Sequence, residues 1–84
     1  MNSTIVLKGM RGKRLLTQDE VAFNINVSRQ MYCTYENNLL QCELDLIFKI
    51  LNSLNANKIE IEEFFNGLKQ DYKSYNNADK EKEK

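Results

Sequence analysis

The stretch TQDEVAFNINVSRQMYCTYE, from Thr17 to Glu36, constrains the fold more than any other part of the chain. Thr17-Gln18-Asp19-Glu20 has the form of a capping box: the threonine hydroxyl accepts from the Glu20 amide while Glu20 reaches back to Thr17. A helix begun there carries Val21, Ala22 and Ile25 on one stripe. Asn26 falls where that helix must stop, and asparagine is the commonest substitute for glycine in the left-handed conformation. Ser28 then caps a second helix. Its inward positions are Tyr32 and Tyr35, with Val27 before them, and Arg29, Gln30, Met31, Cys33 and Thr34 are left to face outward. Two short helices joined by a tight turn make a helix-turn-helix, expected over residues 17–36.

Composition narrows the class. With 84 residues the chain can build one domain around a small core. No stretch approaches the ~20 apolar residues of a membrane span, and neither a signal core nor a lipidation motif is present, which predicts a cytoplasmic protein. Cys33 and Cys42 are too few for a disulfide framework, and without histidine they offer no zinc set, so no metal or cofactor is expected. The chain also lacks a nucleophile–histidine pair and a phosphate loop, which argues against an enzyme.

The formal net charge of zero at first argues against a nucleic-acid partner. Its distribution argues the other way. In residues 1–35, five cations (Lys8, Arg11, Lys13, Arg14, Arg29) face only Asp19 and Glu20, leaving +3. Residues 36–71 carry three lysines against seven acids, leaving −4, and the tail returns the remaining +1. The positive half is therefore the half that contains the two-helix stretch, as a phosphate-facing surface requires.

Elsewhere the pattern is helical. Ser3 or Thr4 can cap a first helix carrying Ile5, Val6, Leu7, Met10 and Leu15, weakened at Gly9 and Gly12 by roughly 1 kcal/mol each relative to alanine. Leu44, Ile47, Phe48, Ile50, Leu51 and Leu54 give a helix over about 43–54 a broad buried face, with Asp45, Lys49 and Asn52 opposite. Asn55-Ala56-Asn57 breaks it. In the last helix Ile61, Phe65, Leu68, Tyr72 and Tyr75 follow a seven-residue repeat. Ile61, Phe64, Phe65 and Leu68 can close the core, while Leu68, Tyr72 and Tyr75 can extend past it and pair with a second copy. These readings divide the chain into a domain over 1–71 and a helical extension over 72–84 that frays into a charged, disordered tail.

The central stretch resembles the helix-turn-helix of the lambda Cro and repressor family, the XRE-type regulators. That family's pattern is met by Gln18 at the start of the first helix, Val21 three on, the small Ala22 next, Ile25 and Val27 around the turn, Tyr32 and Tyr35, and Glu36. Asn26 stands for the family's turn glycine. The resemblance implies an all-α fold, a compact five-helix lambda repressor-like DNA-binding domain. It also implies a structural pair between Arg11 and Glu36, of modest contribution if partly exposed. Lys13 and Arg14 would lie near the phosphate backbone, and Asn38 would supply a second left-handed turn residue after the recognition helix.

Carried over by position, Arg29, Gln30 and Thr34, with Met31 beside them, are base-reading candidates. Arginine can bond both acceptors of guanine and glutamine both groups of adenine. Gln18 and Ser28 would contact the DNA backbone, with Cys33 and Asn37 beside it. The implied function is sequence-specific binding of double-stranded DNA by a transcriptional regulator, a repressor acting as a homodimer. The competing reading is a protein-interaction module or antitoxin-like partner, with the two-helix unit as scaffold and the aromatic C-terminal helix as binding face.

Overall fold

The computed structural model describes residues 2–82, with side chains through residue 76. It is an all-α domain of five helices: α1 (Ser3–Lys13), α2 (Gln18–Asn24), α3 (Arg29–Asn37), α4 (Leu44–Ser53) and α5 (Lys58–Lys82). One turn of 3-10 helix, Leu39–Gln41, links α3 to α4. Helix α5 carries the predicted extension as far as Lys82, and the end of the predicted tail lies outside the described residues.

Four of the five helix starts are set by side chains, and α4 begins after Glu43 without a side-chain cap. The capping box at Thr17 and Glu20 is present in both directions. Ser28 caps α3 by accepting from the Met31 amide at 3.1 Å. Helix α1 departs from expectation: its cap is Asn2, whose Oδ1 accepts from Ile5 N at 2.9 Å, one or two residues before the predicted Ser3 or Thr4. Ser3 is instead fully buried, and its amide and hydroxyl both donate to the Asp71 carboxylate on α5.

Helices α1, α2 and α4 stop in the same way. In each, the residue after the cap turns left-handed and two amides fold back onto the last turn, the Schellman arrangement. For α2 that residue is Asn26, at φ 63°, as its identity predicts, with Asn26 N to Phe23 O at 3.1 Å and Val27 N to Ala22 O at 2.9 Å. Asn55 does the same for α4 at φ 53°. Asn38 does not: its φ is −138°, because the chain enters the 3-10 turn there rather than reversing through a left-handed residue. The third left-handed residue is Leu15, at φ 56°, so it leaves α1 and projects to solvent, 88% exposed, instead of joining the helix's buried stripe.

The core lies where the helices converge. Leu7 and Met10 of α1, Val21 and Ala22 of α2, Tyr32 of α3, Ile47, Ile50 and Leu51 of α4, and Phe64 of α5 are all buried. Ala22 is buried in the same core, and α2 packs against α3. The predicted face of α4 is narrower than its apolar pattern suggests, since Leu44 and Phe48 remain 58% and 44% exposed. Phe48 packs at the rim on Phe65, ring centroids 6.0 Å apart. Tyr72 and Tyr75 project from α5 into solvent.

Candidate nucleic-acid interface

Helix α3 is divided lengthwise by the chemistry of its side chains. Tyr32 and Glu36 are fully buried, Tyr35 is half-buried, and Arg29, Gln30, Met31 and Thr34 are exposed on the opposite face. The side chains predicted to read bases thus share one accessible surface beginning at the helix N-terminus. Thr34 Oγ1 donates back to Gln30 O at 3.1 Å and Asn37 Nδ2 to Cys33 O at 2.9 Å, which orders both along their own helix. Cys33 is half-buried between them.

Behind this face the helix is fastened by charge. Arg11 Nε and Nη2 donate to the two Glu36 carboxylate oxygens at 3.2 and 3.1 Å, and Arg11 Nη1 donates to Leu16 O at 3.0 Å. The pairing matches expectation, but its environment does not: Glu36 has no exposed side-chain surface and Arg11 only 18%. A buried carboxylate cannot fall back on water, so the pair matters more to the fold than a surface bridge would. The Glu36 hydrogen bond raises the Arg11 pKa further above its ordinary value. Thr4 Oγ1 adds a bond to Glu36 O at 2.8 Å, tying the start of α1 to the same turn.

Gln18, predicted to meet phosphate, turns inward and reaches Glu36 Oε1 at 3.5 Å. The outward residue of that turn is Asp19, whose Oδ1 lies 3.9 Å from Arg29 Nε. Lys8, Arg11, Gln18, Asp19 and Arg29 line one shallow depression where α1, α2 and the start of α3 meet. Lys8 and the ion-paired Arg11 are the other cations that line it.

Lys13 and Arg14 are placed elsewhere. Arg14 donates to Glu60 at 2.5 and 2.9 Å and to Met10 O at 3.0 Å, and Lys13 lines the groove between α1 and α5. The guanidinium expected beside phosphate is held in an ion pair instead. Glu60 is buried as the third residue of a capping box: Asn57 Oδ1 accepts from Glu60 N at 2.8 Å, and Glu60 Oε1 accepts from Asn57 N at 3.0 Å. Arg14 first, then the Asn57 amide, draws the Glu60 pKa down to about 2. The Asn57-x-x-Glu60 spacing is a readable cap signal. Its arginine partner, 46 positions away, carries no local signal.

No protein-family model, curated protein or solved structure matches the chain. Arg29, Gln30, Met31 and Thr34 are brought together on one face; Ser28 caps that helix, Gln18 and Arg14 make contacts within the fold, and Lys13 is exposed along the groove between α1 and α5. No helix among the described residues is long and apolar enough to cross a membrane.

The Tyr32 hydroxyl is the one anomaly beneath the face. It is buried against the Glu36 carboxylate and the Arg11 guanidinium, and no hydrogen bond of standard geometry links it to either. Burial, and then the neighbouring Glu36 carboxylate, push its pKa far above the ordinary tyrosine value, so it stays neutral.

Proposed function

We propose that this chain is a sequence-specific reader of double-stranded DNA, with α2 and α3 acting as a helix-turn-helix of the lambda Cro and repressor type. Helix α3 enters the major groove, and the protein works as a dimeric transcriptional regulator, a repressor. The observation that carries this reading is the division of α3, whose exposed N-terminal face holds Arg29, Gln30, Met31 and Thr34 while its opposite face is held by the buried Glu36. These residue types match base edges: arginine with guanine, glutamine with adenine, and methionine with the thymine methyl. A helix read in this way must be held rigidly, and the Arg11–Glu36 pair supplies that hold. One such helix reads only a few base pairs, so two copies on half-sites one turn apart supply the remaining affinity.

The depression sets Lys8 and Arg29 against the single carboxylate of Asp19 beside the start of α3, an excess of positive charge that supports a phosphate strand running there. Tyr72 and Tyr75, exposed on α5, are the surface available for pairing with the second copy. The same exposed tyrosines favour the competing reading, a protein-interaction module.

Titration of isotope-labelled protein with mixed-sequence duplex at low salt separates the two. Amide shifts at residues 17–19 and 28–34 support DNA reading. Absence of shifts there, or shifts confined to residues 64–75, contradicts it.

A further inference from the structure

Helix α5 runs past the helix it lies on. Asp71 meets Ser3, the first residue of α1, and α5 continues from there to Lys82. Its apolar stripe continues too: Tyr72 and Tyr75 follow Phe65 and Leu68 at helical spacing, and they are 57% and 59% exposed. A second apolar ridge lies beside this one. Leu40 stands on the 3-10 turn, where it lines one depression with Asp71, and Leu44 and Phe48 follow one helical turn apart on α4. All three are exposed, and Phe48 joins the ridge to the α5 stripe through its ring contact with Phe65. Contiguous exposed apolar side chains mark a contact surface where scattered ones do not.

The flanks of the two surfaces carry opposite charge. Glu43 and Asp45 border the ridge, and Asp45 is only loosely paired with Lys49, at 3.7 Å. Lys69 and Lys73, one turn apart, border the α5 stripe beside Tyr72. An apolar ridge with acidic flanks and an apolar stripe with basic flanks therefore sit on one chain. A two-fold rotation sets each against its complement twice, so the partner these surfaces fit is a second copy. With a formal net charge of zero, two copies also meet without net repulsion.

We infer that the projecting end of α5 in each copy docks on the Leu40–Leu44–Phe48 ridge of the other. Tyr72 and Tyr75 cover the partner's ridge, and Lys69 and Lys73 face its Glu43 and Asp45. This is the dimer that the DNA-reading proposal calls for, with α4 and the 3-10 turn, rather than a second α5, as the receiving surface. It forms without DNA, so it stands or fails separately from that proposal.

Sedimentation equilibrium of the full chain without DNA, from micromolar to millimolar concentration, is the test. The wild type should approach twice the mass of one chain as concentration rises. Leu44→Ser and Tyr75→Ser change side chains that are 58% and 59% exposed, so both variants should keep the wild-type unfolding temperature. Each change occurs twice in the dimer and should weaken it by about ten-fold or more. A charge exchange then identifies the receiving surface. One variant carries Glu43→Lys with Asp45→Lys, the other Lys69→Glu with Lys73→Glu. Each alone should stay monomeric, because like charges meet at both contacts, and an equimolar mixture should restore the dimer. A wild type that is monomeric throughout would overturn the inference, as would a Leu44→Ser variant that dimerises as tightly as the wild type. So would a mixture of folded charge variants that stays monomeric. Undiminished pairing by the Glu43→Lys, Asp45→Lys variant alone would place the contact between the two α5 helices and remove α4 from it. An intact dimer that enriches no sequence from random duplex would leave this pairing standing and sink the DNA-reading proposal instead.

Discussion

Arg11 reaches across from α1 to meet the fully buried Glu36 with two parallel hydrogen bonds, Nε to Oε2 at 3.2 Å and Nη2 to Oε1 at 3.1 Å. The last turn of α3 is thereby fixed to a helix 25 positions earlier in the chain. Removing the arginine alone leaves a carboxylate in the core with no cation. Arg11→Met should therefore cost about 3 kcal/mol, a large share of the stability of so small a domain. Replacing both residues, Arg11→Met with Glu36→Leu, should recover most of that loss. Urea unfolding of the wild type and the two variants gives the comparison, and a single variant as stable as the wild type would show the pair to be dispensable.

Acid should weaken the contact between α1 and α5. Glu60 has a pKa lowered from 4.5 to about 2 by Arg14 and the Asn57 amide. A depressed carboxylate contributes stability that is fully present above the unfolded value and is lost as pH falls through the folded one. The window is thus pH 4.5 down to about 2. Wild-type stability should fall across it, and Glu60→Gln should show a shallower fall over the same range. Equal slopes in both proteins would assign the acid sensitivity to other carboxylates.

The buried Tyr32 hydroxyl offers a cleaner case. Because it makes no hydrogen bond of standard geometry to a described residue, its removal sacrifices little bonding even beside the Glu36 carboxylate. Tyr32→Phe should be neutral or stabilising by about 1 kcal/mol, since an unpaired buried hydroxyl carries a desolvation cost of about 1–3 kcal/mol. A loss exceeding 1 kcal/mol in thermal unfolding would mean that the hydroxyl has a partner in solution.

Two backbone positions carry removable costs. Leu15 is left-handed and 88% exposed, a combination of conformational strain with little burial in return. Leu15→Gly should stabilise by about 1 kcal/mol. Gly9 lies inside α1, and a Cβ added there meets nothing within 4 Å. Gly9→Ala should add roughly 0.5–1 kcal/mol. Each change should raise the unfolding midpoint by several degrees in a domain of this size. A drop at Gly9→Ala would point to a contact that the isolated chain does not make.

The parts of this fold that were legible in the sequence are the local ones. Thr17, Glu20, Asn26 and Ser28 act within three residues of their partners, so their types and spacing announce the capping box, the left-handed turn and the second cap. The distribution of inward and outward residues on α3 followed from the same register. What was not legible depends on distance. Arg14 meets Glu60 and Ser3 meets Asp71 only because α5 packs along α1, and nothing near those residues signals it. Leu15 misled for a different reason: its hydropathy suited the α1 stripe, but the helix had already ended at Lys13 and the next residue but one carries the reversal. Phe48 likewise suited a buried face and lies at its rim against Phe65.

Selection of wild-type protein and an Arg29→Ala, Gln30→Ala variant against one random duplex pool tests the central claim most directly. The account predicts that the wild type enriches a palindrome with half-sites about 10 base pairs apart, and that the variant loses the enrichment while unfolding at the same temperature. Enrichment of the same palindrome by both proteins, or of no sequence by the wild type, would contradict it.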